Sequence, residues 1–310
     1  MIKLVGSRAL EYYGISMNRE GIQDWDFIGT EDEVSVILNL RFRHFDRTEV
    51  KETKSGYLMK AYHYGNTYYV EFHVINSSKF EDKYGDKELY NLRGYSITEL
   101  VSVGPMMFIA EIAEPELILM MKLSHKFKDD VHFVKTRNDI LKLQSRGYSL
   151  NSELEELLKD RTKRTIRPAV KLSTSKKEFF TDNVKYLYDH DTLHEAVKIG
   201  DKPAYTYFQK DGSEVECDMD KFFRVSEDIR MNALREETAV LALERAVIPF
   251  NTDYKRAYQR ALRGVCTTIT SGRFREYAWQ NYDKALESVW DFTEDFKRGV
   301  ESGIVKLHRS

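Results

Sequence analysis

The chain has 310 residues, of which 42% are hydrophobic and 32% are charged, and its formal net charge is −2. That length allows two domains, and the near-neutral charge excludes binding to nucleic acid through overall charge, so such binding would need a local patch. Two cysteines cannot form a disulfide framework. No apolar run approaches the roughly 20 residues of a membrane span, and no signal peptide precedes the fold-forming sequence. We therefore expect a cytoplasmic protein with no membrane partner.

The first notable feature is a short apolar segment that ends in a glycine and a serine. Residues 2–6 predict a strand, and residues 7–14 predict a helix directly after it. Gly6 lets the backbone approach a phosphate closely. Ser7 and the amides at the start of the helix can then donate hydrogen bonds to that phosphate. The segment is therefore a candidate phosphate cradle.

Two aspartates follow on the next predicted strand, which covers residues 24–29. Asp24 and Asp26 are two positions apart, so their side chains share one face of the strand, whereas Trp25 and Phe27 point the other way. Two carboxylates held side by side repel each other unless a cation lies between them, and a hard cation such as Mg²⁺ prefers oxygen ligands. The alternative is that both aspartates are solvated residues at a turn and strand start.

Gly6-Ser7, a helix and then Asp24-x-Asp26 together resemble the signature of the polymerase-β-like nucleotidyltransferase superfamily, including its minimal and antitoxin-linked members. The resemblance covers about the first 145 residues, and the gap between the two motifs is longer here than in the most compact members. It implies that the aspartates bind Mg²⁺ or Mn²⁺ and that an NTP lies with its phosphates at Gly6, Ser7 and Arg8. It also implies a third carboxylate from a later strand.

A predicted hairpin supplies the candidate for that third carboxylate. Residues 57–64 and 67–75 are apolar and aromatic runs that are separated by a Gly-Asn pair, which is a hairpin signal. In the second run, Glu71 and His73 share the face opposite to the apolar residues. Beside the aspartate motif, we expect Glu71 to be a metal ligand and general base. The alternative is an exposed strand face, and His73 is expected to be a structural neighbour.

The residues that follow are predicted to be loops and then helices. Residues 94–113 contain glycines and a proline and are expected to connect elements. A helix begins near Glu114, with Pro115 in its first turn, and a second helix covers about 131–144. The resemblance to antitoxin-linked enzymes implies that basic residues here lie near the triphosphate, together with one aspartate: Lys122, Lys135, Arg137 and Asp139. A solvated helix face is the alternative for Lys122.

A basic stretch over residues 159–177 comes next, with Asp160 as an acidic exception. It predicts either a surface for the phosphate backbone of tRNA or another RNA or a solvated connector. We place the domain boundary in this stretch. The sequence then divides into a catalytic domain over residues 1–150, a basic connector over 151–180 and a helical domain over 181–310.

The second half contains another cluster of polar residues. His190 and His194 are four residues apart on a predicted helix and share a face, and a second helix over residues 234–246 carries Glu237. The three residues could bind a transition metal, although structural contacts or a substrate cleft are alternatives. Residues 277–300 predict one long amphipathic helix. This half also resembles nucleotidyltransferase-like proteins of large tailed bacteriophages, which implies a long helical C-terminal domain.

The sequence therefore predicts an α+β protein, in which a nucleotidyltransferase-like mixed sheet with flanking helices precedes a mainly helical C-terminal domain. The resemblance implies metal-dependent transfer of a nucleoside monophosphate from an NTP to a hydroxyl acceptor, in the host cytoplasm if the chain is phage-encoded. Two alternatives stay open. One is a non-catalytic binding or inhibitory phage protein on the same scaffold, and the other is a metal-dependent hydrolase centred on His190 and His194.

Overall fold

A computed structural model of the chain divides it into two units, Met1–Lys126 with Lys135–Ile166, and Phe127–Val134 with Arg167–Ser310. The divisions predicted from the sequence, at residues 150 and 180, stay predictions about domains. The residues that the structure describes are 1–17, 24–166, 172–173, 177–181, 184–188, 190–200, 208–211, 214–217, 219–247, 250, 252–268, 272–287, 289, 293–294, 298 and 308–309.

A seven-stranded mixed sheet organises the first unit. The strands are β1 (Lys3–Val5), β2 (Trp25–Thr30), β3 (Arg47–Glu52), β4 (Gly56–His63), β5 (Asn66–Ile75), β6 (Ser96–Val103) and β7 (Met106–Ala113). Their spatial order is β3-β4-β5-β2-β1-β7-β6. Strand β2 runs parallel to β5 and antiparallel to β1, and β1 runs parallel to β7. The predicted hairpin over residues 57–75 is confirmed as β4 and β5.

The hairpin of β6 and β7 occupies residues that the sequence predicted to be loops, so that prediction was wrong. The two strands pair antiparallel along their whole length, from Ser96 opposite Ala113 to Val103 opposite Met106. Gly104 lies in the turn between them with φ +57, a conformation that glycine adopts at little cost. The Gly-Pro pair thus marks only the turn, while alternating buried residues such as Val101 and Val103 form the strand.

Six helices within the described residues 1–17 and 24–166 flank or extend from this sheet: α1 (Gly6–Glu11), α2 (Glu31–His44), α3 (Asp86–Asn91), α4 (Pro115–Ser124), α5 (Phe133–Ser145) and α6 (Ser152–Thr165). Helix α2 begins with a capping box between Thr30 and Glu33, which satisfies two backbone amides at once. Phe27 and Phe72, which are register partners on β2 and β5, stack with their ring centroids 5.7 Å apart and are almost fully buried. The core therefore lies on their face, and alternate residues of both strands point to the opposite face.

Within its described residues, the second unit is mainly helical. Its helices there are α7 (His190–Val197), α8 (Met219–Arg224), α9 (Glu227–Ala242), α10 (Tyr254–Thr268), α11 (Gly272–Gln280) and α12 (Tyr282–Glu287), and a π-helical turn over Leu243–Val247 follows α9. The strands there are β8 (Leu172–Ser173), β9 (Lys177–Thr181), β10 (Val184–Tyr188), β11 (Phe208–Asp211), β12 (Glu214–Cys217) and β13 (His308–Arg309), and they form two small three-stranded sheets in the orders β13-β10-β9 and β11-β12-β8. The two units confirm the predicted α+β class.

Within the described residues, the helix predicted over 277–300 is divided at Asn281, because α11 ends at Gln280 and α12 begins at Tyr282. The backbone amide of Asn281 still donates to the Tyr277 carbonyl, and the Asn281 carbonyl accepts from the Ala285 amide, so α12 follows α11 directly. Most of residues 288–300 lie outside the described residues. None of the helices within the described part of the chain combines the length and the apolar character needed to cross a membrane.

Candidate active site

The parallel pairing of β2 with β5 brings two of the predicted carboxylates together. Asp26 and Glu71 are register partners on the two strands, so both side chains extend from the face opposite to Phe27 and Phe72. Asp24 lies one residue before β2 and is exposed. The sequence spacing predicted the two aspartates on one face, and the sheet register adds Glu71 to them.

Negative charge accumulates at Asp26. Burial, followed by the charge of Glu71, raises the pKa of Asp26 to about 6, and Asp24 acts in the same direction, whereas His73 and Lys122 act against it. A carboxyl group with a pKa this far above its ordinary value disfavours ionisation in its present surroundings. We call the face that carries Asp24, Asp26 and Glu71 the acidic face, and its surroundings favour the neutral form of Asp26.

The pKa of Asp24 is also raised, by partial burial, although the positive charges of Lys135 and Arg8 oppose the change. Both basic residues therefore lie near enough to Asp24 to act on it. The Arg8 guanidinium lies 5.0 Å from the Trp25 ring centroid and also pairs with Glu11 at 3.0 Å. Arg8 thus lies beside the acidic face while being held by its own contacts.

Gly6 lies directly against Asp26. Strand β1 pairs antiparallel with β2 so that Val5 is opposite Asp26, and Gly6 follows with φ +71 as the first residue of α1. A Cβ on Gly6 would lie 2.3 Å from Asp26 Oδ2, which is far inside van der Waals contact. Ser7 is buried, with 6% of its surface exposed. Glycine is therefore the residue that fits between α1 and this carboxylate.

A chain of ion pairs extends from Glu71 into the interior. His73 Nε2 lies 3.4 Å from Glu71 Oε1, and His73 Nδ1 lies 2.8 Å from Asp86 Oδ2. On the other side of Asp86, Arg161 Nη1 donates to Asp86 Oδ1 at 2.8 Å and to the Tyr84 carbonyl at 2.6 Å. Charges alternate in sign along this chain, and its inner members are buried.

The pKa shifts of His73 and Asp86 agree with this alternation of positive and negative charges. Burial lowers the pKa of His73, but the hydrogen bonds with Asp86 and Glu71 outweigh burial and raise it to about 10. Burial raises the pKa of Asp86, but His73 and Arg161 outweigh it and hold that pKa well below its usual range. His73 is therefore an imidazolium at neutral pH, as expected for a structural neighbour of Glu71.

Sequence reasoning missed Asp86 and assigned Arg161 to an exposed basic stretch, and that assignment was wrong because Arg161 is only 2% exposed. The stretch over residues 159–177 begins on α6, where Arg164 pairs with Asp160 at 2.9 Å and with Glu88 at 3.5 Å. Three of its other basic residues lie outside the described residues: Arg167, Lys171 and Lys176. The described part therefore supplies ion pairs within the first unit.

The remaining basic residues predicted to contact phosphate lie in different surroundings. Lys122 Nζ lies 2.8 Å from Asp139 Oδ2, and its charge also reaches Asp26. Lys135 is exposed, and Arg137 is 7% exposed. Lys122 is thus near the acidic face, but its ammonium group is held by an aspartate.

The second predicted cluster is a buried histidine between two glutamates. His194 Nδ1 lies 2.8 Å from Glu236 Oε1, and Nε2 lies 2.9 Å from Glu237 Oε2. All three residues are at most 1% exposed. The side chain of His190 lies outside the described residues. Each ring nitrogen of His194 thus lies against a carboxylate, and the predicted metal site of His190, His194 and Glu237 stays a prediction.

In the part of the chain that the structure describes, no group of three or more His, Cys, Asp or Glu side chains is arranged to hold a metal ion. That statement covers Asp24, Asp26 and Glu71 at the first cluster and His194 with its two glutamates at the second, but it does not cover His190. At the acidic face, Asp24, Asp26 and Glu71 are close enough to influence one another's protonation. They do not, as they stand, form a closed set of ligands.

Residues 117–297 match the family described as a domain of unknown function, DUF7275. This chain belongs to the DUF7275 family. A comparison with curated proteins found no match. The DUF7275 segment begins within α4, so it does not include the strands that carry Asp26 and Glu71.

Among solved structures, the chain is distantly similar to an antigenic nucleotidyltransferase-like protein from Paracoccidioides brasiliensis. The TM-score is 0.33 and the sequence identity is 12%, over 53% of this chain and 80% of that chain. A similarity at this distance carries no argument about the site of this DUF7275 protein.

Proposed function

We propose that this protein is a metal-dependent nucleotidyltransferase, which moves a nucleoside monophosphate from an NTP to a hydroxyl acceptor. The observation that carries the proposal is the register of Asp26 with Glu71 on adjacent parallel strands, next to a glycine whose missing side chain makes room for Asp26. A glycine at this strand end lets the backbone approach paired carboxylates closely, and these carboxylates offer oxygen atoms to a cation.

The donor atoms at the acidic face fit Mg²⁺ or Mn²⁺ in their chemistry. Asp24, Asp26 and Glu71 offer only carboxylate oxygens, which hard divalent cations prefer. Burial first, and then the negative charge of Glu71, raises the pKa of Asp26, and a divalent cation would favour its ionised form. These three residues would hold the metal, which would supply charge stabilisation at the phosphates and favour deprotonation of the acceptor hydroxyl.

Residues near the acidic face would then have separate roles in the transfer. Gly6 and Ser7 would hold the β- and γ-phosphates, and Lys122 would bring a further positive charge. The acceptor oxygen forms a bond to the α-phosphorus while the bond from that phosphorus to the bridging oxygen breaks, and pyrophosphate leaves with the electron pair. Glu71 accepts the hydroxyl proton. Arg8, Lys135 and Arg137 belong to the same proposal as secondary phosphate contacts.

The test is transfer of label from each of the four α-³²P-labelled NTPs, with Mg²⁺ or Mn²⁺, onto total cellular RNA and protein. The wild type is compared with Asp24→Ala/Asp26→Ala and with Asp32→Ala, an exposed aspartate at the start of α2. We expect label with the wild type and the Asp32 variant and none with the double variant. Absence of label from every nucleotide with a folded wild type would refute the proposal.

A second candidate function, a non-catalytic binding protein on this scaffold, is favoured by two contacts. Glu71 lies against His73, and Lys122 lies against Asp139, so both predicted functional groups have partners within the chain. This candidate predicts that the chain binds an NTP or another ligand but transfers no label. Equilibrium binding of a fluorescent NTP, measured beside the transfer assay, separates the two functions.

A further inference from the structure

The sheet face that carries Glu71 continues across β5, β4 and β3. Tyr69 is opposite Lys60, and Tyr62 is opposite Thr67, in the pairing of β4 with β5. Arg47 is opposite Tyr62 in the pairing of β3 with β4. Because alternate residues of a strand and register partners share a face, one side of the sheet presents a continuous surface. We call it the tyrosine-lysine face, and its members are Arg47, Lys51, Lys60, Tyr62, Thr67 and Tyr69.

Cations and aromatic rings interleave on the tyrosine-lysine face. Lys60 Nζ lies 5.0 Å from the Tyr62 ring centroid and 5.6 Å from the Tyr69 ring centroid. The Arg47 guanidinium lies 5.5 Å from the same Tyr62 ring. Both tyrosines are partly exposed. The opposite side of these strands carries Met59, Ala61 and Val70, which are fully buried, so the aromatic side is the open one.

The charge of this face is positive on balance. Arg47, Lys51 and Lys60 contribute three positive charges, and Glu49 contributes one negative charge, which pairs with Arg47 at 2.6 Å. Glu71, at the end of the face nearest β2, contributes the second negative charge. The net positive charge of this face contrasts with that of the whole chain, whose formal net charge is −2. A local positive surface next to an acidic face favours a ligand that carries its own negative charges along a chain.

The position of the face relative to the carboxylates suggests which ligand it takes. Tyr69 lies two residues before Glu71 on β5, a distance of about 7 Å along an extended strand. Gly6, in contrast, follows β1, on the other side of β2 from β5. An NTP at Gly6 and an acceptor on the tyrosine-lysine face would therefore approach Asp26 from opposite sides.

We infer that the tyrosine-lysine face binds the 3′ end of a single-stranded RNA as the acceptor, an inference that rests on the proposed function. Tyrosine rings stack on any base of a single strand, and the lysines and arginine neutralise phosphates. The hydroxyl groups of Tyr62 and Thr67 offer partners to the ribose 2′-hydroxyl, which DNA lacks.

The transfer joins the terminal 3′-hydroxyl of the RNA to the NTP. The terminal 3′-hydroxyl oxygen bonds to the α-phosphorus of the NTP, its proton passes to Glu71, and pyrophosphate leaves with the electrons of the broken bond. The last base then lies over Tyr69, and the preceding base lies towards Tyr62. The RNA product is one nucleotide longer at its 3′ end.

The experiment is binding of a fluorescein-labelled ten-nucleotide RNA to the full chain, followed by fluorescence anisotropy without NTP. We expect Tyr69→Leu to weaken binding about tenfold or more, because base stacking on one ring contributes that much, and Tyr69→Phe to retain it. Tyr64→Leu is the matched control, since Tyr64 is 84% exposed in the same hairpin but lies in its turn. Lys60→Ala should lower the slope of log affinity against log salt by about one.

The outcomes separate this inference from the proposed function. Wild-type affinity in Tyr69→Leu, or no affinity in the wild type, would overturn the inference, and equal binding of the matching DNA strand would overturn the assignment to RNA. Transfer of labelled nucleotide to a non-RNA acceptor, without RNA binding, would leave only the proposed function standing. RNA binding that depends on Tyr69, without transfer from any NTP, would remove the acceptor role and the proposed function together. Circular dichroism of each variant shows whether it is folded.

Discussion

Replacement of Gly6 by alanine would test whether the approach of α1 to Asp26 matters for the site. Gly6 has φ +71, and a Cβ there would lie 2.3 Å from Asp26 Oδ2. Gly14 is a matched control, because its φ is +67 and nothing lies within 4 Å of the Cβ position. Both substitutions place a side chain in the left-handed region, and only Gly6→Ala adds a collision with a carboxylate.

The two costs can be separated by magnitude. A residue with a Cβ in the left-handed region loses about 1–2 kcal/mol, so both variants should lose about that much free energy of unfolding. In Gly6→Ala, the Asp26 carboxylate must also move by about 1 Å to reach an ordinary separation. A displacement of about 1 Å at a reacting centre can lower a rate by about 100-fold. We therefore expect Gly6→Ala to lose about 100-fold in nucleotidyl transfer and Gly14→Ala to keep its rate within about twofold.

The assays are urea unfolding for stability and transfer from an α-³²P-labelled NTP for activity, with both variants measured at the same fraction folded. The informative quantity is the ratio of the two activities, because the backbone penalty is common to both variants. Equal activities would refute the reasoning that Gly6 makes room for a functional carboxylate. A large loss in Gly14→Ala would instead assign the effect to α1 stability.

Three further predictions concern stability. The folded state holds the proton of Asp26 more tightly than the unfolded state, since its pKa is raised to about 6, so stability falls as pH rises from about 4 to about 6. Without metal, Asp26→Asn should therefore be about 1–3 kcal/mol more stable than the wild type at pH 8 and equally stable at pH 3.5. The measurement is urea unfolding of both proteins at the two pH values. A stability difference that does not change with pH would contradict the prediction. Arg161→Met removes one of the two cationic partners of the buried Asp86 and should cost about 3 kcal/mol. Arg164→Met, at a pair that is more than a third exposed, should cost at most about 1 kcal/mol, and similar costs for the two variants would count against the ion-pair chain. His194→Gln should lower the free energy of unfolding by about 3 kcal/mol or more, because it also removes one partner of a buried pair. A melting temperature equal to that of the wild type would show that the buried cluster contributes little to stability.

The sequence was informative where a local pattern decides the structure. Alternation of apolar residues on either side of a Gly-Asn pair identifies β4 and β5, because the period of two is specific to strands. The same principle should have identified β6 and β7, where Val101 and Val103 alternate with exposed residues. A Gly-Pro pair outweighed that alternation in the prediction, although it marks only one turn.

The candidate site depends on pairings that no local pattern contains. Asp26 and Glu71 are 45 positions apart, and only the parallel register of β2 with β5 makes them neighbours. Asp86 and Arg161 are 75 positions apart, and a basic run on a helix does not reveal which of its members faces the interior. Such contacts are set by tertiary packing, so a single sequence predicts the residue types of the site better than their partners.

The contact between Glu71 and His73 bears on whether the acidic face can bind a metal ion, because a strong ion pair would keep Glu71 from turning to a cation. The pair is 3.4 Å long, and 42% of the Glu71 side chain is exposed, so its net contribution is about 0–1 kcal/mol after solvent screening. The His73 contact with Asp86 is shorter, at 2.8 Å, and its aspartate is 6% exposed. A divalent cation could therefore draw Glu71 away from His73 at little cost, while His73 stays fixed by Asp86. The observed arrangement of Glu71 is thus compatible with a metal-bound one, and the chain from His73 to Arg161 keeps a positive charge beside the carboxylates in both.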